Sequence, residues 1–418
     1  MKMNNFILSC HSQRKVDKVI MQKEQEFGKK RMALGENHPD TLKVMGNLAT
    51  SYWRNGETSK AIELEERVLK KIGIVLGEDH PDTLIAMENL AVSYDDQGKA
   101  NKAIKLKERI LKKKRAILGE DHPDTLWAMA NLATSYWSKG EIGKAISLEE
   151  QVLEKRRILL GEDHPDTVWA MADLGTSYWS KGEINKAINL EEQVLEKRRI
   201  ALGENHPDTL LAMENLAKSY YEHDEINKAV ILGEQLLEKR RVVLGNDHPC
   251  TLKTMGDLAL SYCNQGKVGE AISLGNQAFE KMRLILGEDH PDTLKAMAKL
   301  ARSYWSKGET DKAIELDKQV LKKIRVVLGG DHPDTLTAME NLATSYWCGG
   351  KNDKAIELEE QVLKKRCKVL GESHFRTLTT MGILARFYGP KNTKKAVELL
   401  IQMLEKERII HEKEHLVQ

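Results

Sequence analysis

The stretch GEDHPDTLWAMANLATSYWSKGEIGKAISLEEQVLEKRRILL, Gly119 to Leu160, decides the fold. It returns almost unchanged from Gly161, and variants of it fill the chain. His38, His80, His122, His164, His206, His248, His290, His332 and His374 mark a period of 42 residues. All but the last precede a proline; Phe375 replaces it at the end. Within the stretch, Leu126, Met129, Leu132, Ala133 and Tyr136 recur at steps of three and four, which defines one face of an α-helix. Ile142, Ala145, Ile146, Leu148, Val152 and Leu153 define a second. Gly140 fits a left-handed turn between the two helices. Asp224 and Asn392 take its place in two repeats, and both residue types tolerate that conformation. Asp121 is expected to cap the first helix, with Asp124 completing a capping box. Pro123 is harmless in the first turn. The helices are roughly 16 and 20 residues long, or about 24 and 30 Å. One such hairpin cannot bury both of its faces, so neighbours must stack into a solenoid.

The run Asn131-Leu132-Ala133-Thr134-Ser135-Tyr136, followed by Gly140 and Ala145, resembles the tetratricopeptide (TPR) repeat. The 42-residue length and the LGxxHPDT junction are similar to kinesin light chain repeats. They also resemble related long arrays that are often joined to a nucleotide-binding switch domain. The resemblance implies an all-α fold, a right-handed TPR superhelix whose first helices line a concave groove. It further implies that the groove holds an extended or short helical segment of a partner. In kinesin light chains the asparagine before the first-helix leucine contacts peptide backbone. Asn47, Asn89, Asn131, Asn215 and Asn341 match that position, while Asp173, Asp257, Lys299 and Ile383 depart from it. The heptad coiled coil that precedes kinesin light chain repeats is absent from the sequence.

The organisation expected is a degenerate partial repeat over 1–40, eight 42-residue repeats over 41–376, and a degenerate capping repeat over 377–418. Residues 1–16 read as irregular, with Val19–Leu34 as a second helix. Phe6–Cys10 faintly resembles a lipoprotein cleavage site, but its apolar run is too short for a signal.

Composition narrows the function. Lys and Arg total 65 and Asp and Glu total 63, giving a net charge of +2. That balance points to neither nucleic acid nor an acidic membrane. There is no apolar run of spanning length. The five cysteines lack metal spacing and suit a reducing, cytoplasmic setting. No phosphate loop or catalytic constellation stands out, so no enzyme, cofactor or metal is expected.

Two tryptophan sets are candidate anchors. Trp53, Trp137, Trp179, Trp305 and Trp347 follow the core tyrosine, and Trp127 and Trp169 lie ten residues before it. Neither set falls on the core face, because consecutive helical residues point about 100° apart. Aromatics offer large apolar area with few rotors. The alternative is tryptophan packing between neighbouring first helices. The asparagine amides can donate and accept along a peptide backbone, or else bond the next repeat. Thr134, Thr176, Lys218, Arg302 and Arg386 complete the polar candidates. The peptide-binding set is thus Asn89, Trp127, Asn131, Thr134, Trp137, Trp169, Asp173, Thr176, Trp179, Asn215, Trp305, Asn341 and Trp347.

Three motifs read as structural. His-Pro-Asp also marks J-domain cochaperones, but here it repeats at helix starts. His411-Glu412-Lys413-Glu414-His415 matches HExxH by chance in a charged tail. The basic runs, such as Lys155-Arg156-Arg157, read as solvated and paired rather than RNA-binding. A regulatory or self-associating array, attached to a nucleotide-binding switch domain or acting as a kinesin-light-chain-like cargo adaptor, is the alternative function.

Overall fold

The computed structural model describes the backbone of residues 2–415 except Ser373. It describes their side chains except those of 2–17, Phe375, Glu407 and 409–415. Among the described residues there are nineteen helices and no strand. Within Lys2–Leu160, and again within Pro165–His415, they form an α-solenoid of antiparallel pairs, each helix packed on the next. The chain divides into two compact units, Met1–Gly161 and Glu162–Gln418.

In the quoted repeat the helices run Pro123–Lys139 and Ile142–Leu160. The apolar spacing locates their buried faces: Leu126, Met129, Leu132, Ala133 and Tyr136 on the first, Ala145, Ile146, Val152 and Leu153 on the second. Ile142 and Leu148 are only half-buried, and Glu149 is buried in their stead.

The residue that starts each first helix is the histidine, not the aspartate before it. His122 has φ −68° and ψ 137°, and its Nδ1 accepts the Asp124 amide at 3.1 Å. Every marker histidine from His38 to His374 caps in this way. Asp121 instead accepts the Lys155 ammonium at 2.5 Å. The junction is closed by the threonine after His-Pro-Asp. Thr209 Oγ1 donates to the Gly203 carbonyl at 2.8 Å, and Thr83 to that of Gly77 at 2.7 Å. Pro123 loses no helical bond, since the first amides of a helix have no intrahelical acceptor.

Between the paired helices, Gly140 has φ 84° and ψ 8°, the left-handed conformation expected from the sequence. Asp224 keeps the turn at φ 63°. Asn392 does not. The helix Phe375–Tyr388 ends early, and the Asn392 side chain caps the next helix by accepting the Lys395 amide at 3.0 Å. Gly140→Val should therefore destabilise its unit by about 1–2 kcal/mol, since a β-branched residue resists the left-handed region. Thermal melting checks this, with Gly140→Asp as the milder comparison that Asp224 already exemplifies. The amino-terminal segment also differs from its reading. A single helix, Lys2–Leu34, runs through the part expected to be irregular.

Candidate functional site

Within Glu162–Gln418, side chains of one first helix reach the next. Lys253 pairs with Glu214 at 2.7 Å, and Lys299 with Asp257 at 2.6 Å. The Arg302 guanidinium lies 5.9 Å from the centre of the Tyr221 ring, two repeats back, past the helix Pro249–Asn264. Such a reach is available only on the inner side of a curved array. The first helices of this unit therefore line a concave face.

The tryptophans separate into two behaviours. Four of those after the core tyrosine reach the neighbouring first helix. The Trp53 indole N–H donates to Asp96, and the Trp305 indole faces the Cys348 thiol. Trp347 stacks on Phe387 with centroids 4.8 Å apart at 16°. Trp179 carries the Lys218 ammonium 3.7 Å from its ring centre. Trp137 is 40 % exposed. The earlier set stands further out: Trp127 is 49 % exposed and Trp169 46 %. Lys114 lies 5.6 Å above Trp127, and the Arg198 guanidinium 4.9 Å from the Trp169 ring centre.

The polar candidates differ in what they have left to offer. No side-chain hydrogen bond to another described residue forms at Asn89, Asn131, Asn215 or Asn341. Asn89 and Asn341 are exposed, Asn131 and Asn215 half-buried. Thr134 and Thr176 are exposed, but their hydroxyls donate back to the Ala130 and Ala172 carbonyls at 3.1 and 3.0 Å. Asp173 is exposed beside them. The Trp179 indole N–H is buried without an acceptor. Lys218 has no carboxylate within 4.0 Å, and burial pushes its ammonium below the usual lysine range.

Two buried polar series were invisible to the apolar pattern. The first is a carboxylate on the second helix, 28 residues before a first-helix residue of the next repeat. Glu65 faces Ser93, Glu191 faces Ser219, and Asp317 accepts from Ser345 at 2.6 Å. Glu359 meets the Phe387 position instead, and both its oxygens are buried without a partner. Burial pushes Glu65 and Glu191 up to about 7, Asp317 to about 6 and Glu359 to about 8. Lys107 holds this position in one repeat, where Asp95 replaces a tryptophan and accepts its ammonium at 2.6 Å. The second series is a buried cation near the end of the second helix. Lys114 pairs with Glu88 at 2.7 Å, Arg240 with Glu214 at 2.5 Å, and Arg366 with Glu340 at 2.9 Å. A 42-residue comparison of charges alone could have shown that both series repeat.

Other candidates resolve as structure. Lysines of the basic runs pair with the acidic junctions 34 residues earlier, as in Lys113–Asp79 and Lys197–Asp163 at 2.5 Å. The side chains of His411–His415 and of Phe6–Cys10 lie outside the described ones. Among the described residues no group of three or more His, Cys, Asp or Glu could hold a metal ion. No described helix is long and apolar enough to cross a membrane.

Family models described as tetratricopeptide repeat match residues 96–158, 250–323 and 304–368, and, in a second form, 41–82, 167–208 and 209–249. No curated protein matches. Among solved structures, nearly identical kinesin-light-chain-type TPR-like repeats of Podosopora anserina are 30% identical. That match covers 49% of this chain and 97% of the other, with a TM-score of 0.45. A Rap protein complexed with competence and sporulation factor is 13% identical. It covers 89% of this chain and 99% of its own, with a TM-score of 0.50.

Proposed function

The chain belongs to the tetratricopeptide repeat family, of the kinesin-light-chain-like type, and from that premise we propose that it is a non-enzymatic scaffold whose concave face holds an extended or short helical segment of a partner protein. One observation carries this reading: the inner face of Glu162–Gln418 keeps hydrogen-bonding groups unspent. The Trp179 N–H lacks an acceptor, the Asn215 and Asn341 amides lack protein partners, and Lys218 lacks a carboxylate. A buried donor left unmade costs free energy, and a ligand that satisfies it recovers that cost. Amides spaced one repeat apart suit the alternating donors and acceptors of a peptide backbone. On this reading Trp179 and Asn215 form the centre of the site in Glu162–Gln418, with Trp169 as a more exposed anchor, and Trp127 and Trp137 offer exposed rings on Met1–Gly161. Trp305 and Trp347 contribute more to contacts between first helices.

Affinity capture with mass spectrometry tests this, comparing wild type with Trp179→Ala/Asn215→Ala and with the outer-face control Glu238→Ala. Proteins retained by the control and lost by the double variant, at unchanged helicity, support the groove. An identical partner list for all three removes it.

A second reading, self-association, is favoured by a different surface. Ile200, Val242, Leu284 and Val326 hold one position of four successive repeats and are 78, 72, 78 and 83 % exposed. Light scattering across a concentration series distinguishes it, since only self-association makes the mass grow with concentration.

A further inference from the structure

The buried cation of the second helix obeys a pairing with the residue 26 positions earlier on the first helix. Glu88, Glu214 and Glu340 face Lys114, Arg240 and Arg366. Where the first helix has Gly46, Gly256 or Ala298, the second has the buried apolar Ile72, Met282 or Ile324. Charge meets charge, and small meets apolar. Three arginines break the pattern, Arg156 opposite Ala130, Arg198 opposite Ala172 and Arg408 opposite Gly382, and of these only Arg198 is buried. It is 5 % exposed, and its first-helix counterpart is Ala172. The threonine that takes a second bond from Arg240 and from Arg366, Thr254 and Thr380, is here Ala212.

The Arg198 guanidinium consequently makes one hydrogen bond to the described residues, from Nη1 to the Asp208 carbonyl at 3.0 Å. Asp173 and Asp208 act on it through space, but neither carboxylate comes within 4.0 Å. Burial pushes it below the usual arginine range, and it remains a cation. The half-exposed Trp169 ring lies against its guanidinium. Ala172 is half-buried, so the space that a glutamate fills in other repeats opens to solvent.

We infer that Arg198, Trp169 and Ala172 form a carboxylate-accepting subsite, filled by an aspartate or glutamate side chain of the bound segment. The partner supplies in trans the carboxylate that Glu214 and Glu340 supply in cis. The geometry to be copied is that of Arg366, whose Nη1 and Nη2 each donate to a Glu340 oxygen at 2.9 Å. A planar guanidinium that is already desolvated and stacked favours such a two-point acceptor. The inference rests on the groove reading and adds a requirement for acidic residues in the ligand.

The test uses the full chain and a fluorescent peptide of alternating glutamate and glycine, with its glutamine counterpart as reference. Fluorescence anisotropy should show the glutamate peptide binding about tenfold or more tightly, the effect of one charge-assisted contact. Ala172→Glu restores the internal carboxylate, so it should raise the melting temperature and erase the preference. Arg198→Gln should erase the preference without that stabilisation. Equal binding of both peptides by wild type, or a preference that survives in Ala172→Glu, overturns the subsite. Running both variants through the affinity capture separates the two readings. Partners lost with Trp179→Ala/Asn215→Ala but kept by Ala172→Glu leave the groove standing and remove the subsite alone.

Discussion

The melting temperature of this protein falls as pH rises from about 5 to about 9. The cause is the carboxylate series at the contacts between successive helix pairs. Glu65, Glu191, Asp317 and Glu359 are 5, 7, 3 and 0 % exposed. Burial disfavours the charged form, so each folded-state pKa lies above its value in the unfolded chain. The protonated folded form is then the favoured one. Its stabilising contribution is complete below about 4, where both states are protonated, and disappears as pH climbs through the raised values of about 6 to about 8. Shifts of about two to three and a half pH units correspond to roughly 3–5 kcal/mol for each group. Glu359 titrates last and loses most, because no serine hydroxyl meets it and Glu340 adds repulsion. The variant Glu65→Gln/Glu191→Gln/Asp317→Asn/Glu359→Gln should have a much flatter profile between pH 5 and 9. A wild-type profile that is already flat, or one that rises over this range, would contradict the assignment. Surface carboxylates such as Glu288 and Glu57 are shifted down by lysine neighbours, and their influence falls below pH 4.5.

Removing Arg366 alone should be among the most damaging single substitutions in Glu162–Gln418. Its guanidinium is held by both Glu340 oxygens, by Thr380 Oγ1 and by the Arg376 carbonyl. The side chains of the ion pair are 4 and 16 % exposed. Arg366→Met leaves Glu340 as a buried charge without its partner, a loss of about 3–5 kcal/mol in comparable cases. The sequence itself contains the remedy. Ala298 and Ile324 hold these two positions in the preceding repeat, with Ile324 3 % exposed. Glu340→Ala/Arg366→Ile should therefore recover most of the lost stability, because no charge remains to be desolvated. A double-mutant cycle by chemical denaturation measures this coupling. Strictly additive effects would show that the pair does not act as a unit.

The sequence by itself determined the helix pairs and, within a few residues, their ends. The signals are local and recur in phase: a proline in the first helical turn, a glycine at positive φ between helices, and apolar residues at helical spacing. Each acts through a few neighbouring backbone bonds, so a window of one repeat contains its whole cause. The near copies at 125–166 and 167–208 made the pattern legible even where single repeats are worn.

The tertiary structure decided whatever depends on a partner about one repeat away. Asp121 looked like a helix cap, but the chain path places it against Lys155 and gives the cap to His122. Trp347 and Trp137 occupy the same sequence position, yet only packing shows that Phe387 covers Trp347. The carboxylate series that includes Glu65 and Glu191 carries no apolar signal in the sequence. Its burial follows from the neighbouring repeat closing over it, where desolvation then dominates its chemistry. Arg198 differs from Arg240 only in what faces it, and that difference exists nowhere within its own helix. Local conformation is fixed by short-range sterics and backbone hydrogen bonds. The availability of a side chain to a ligand is fixed by contacts between residues 26 to 42 apart, and stacking alone brings those together.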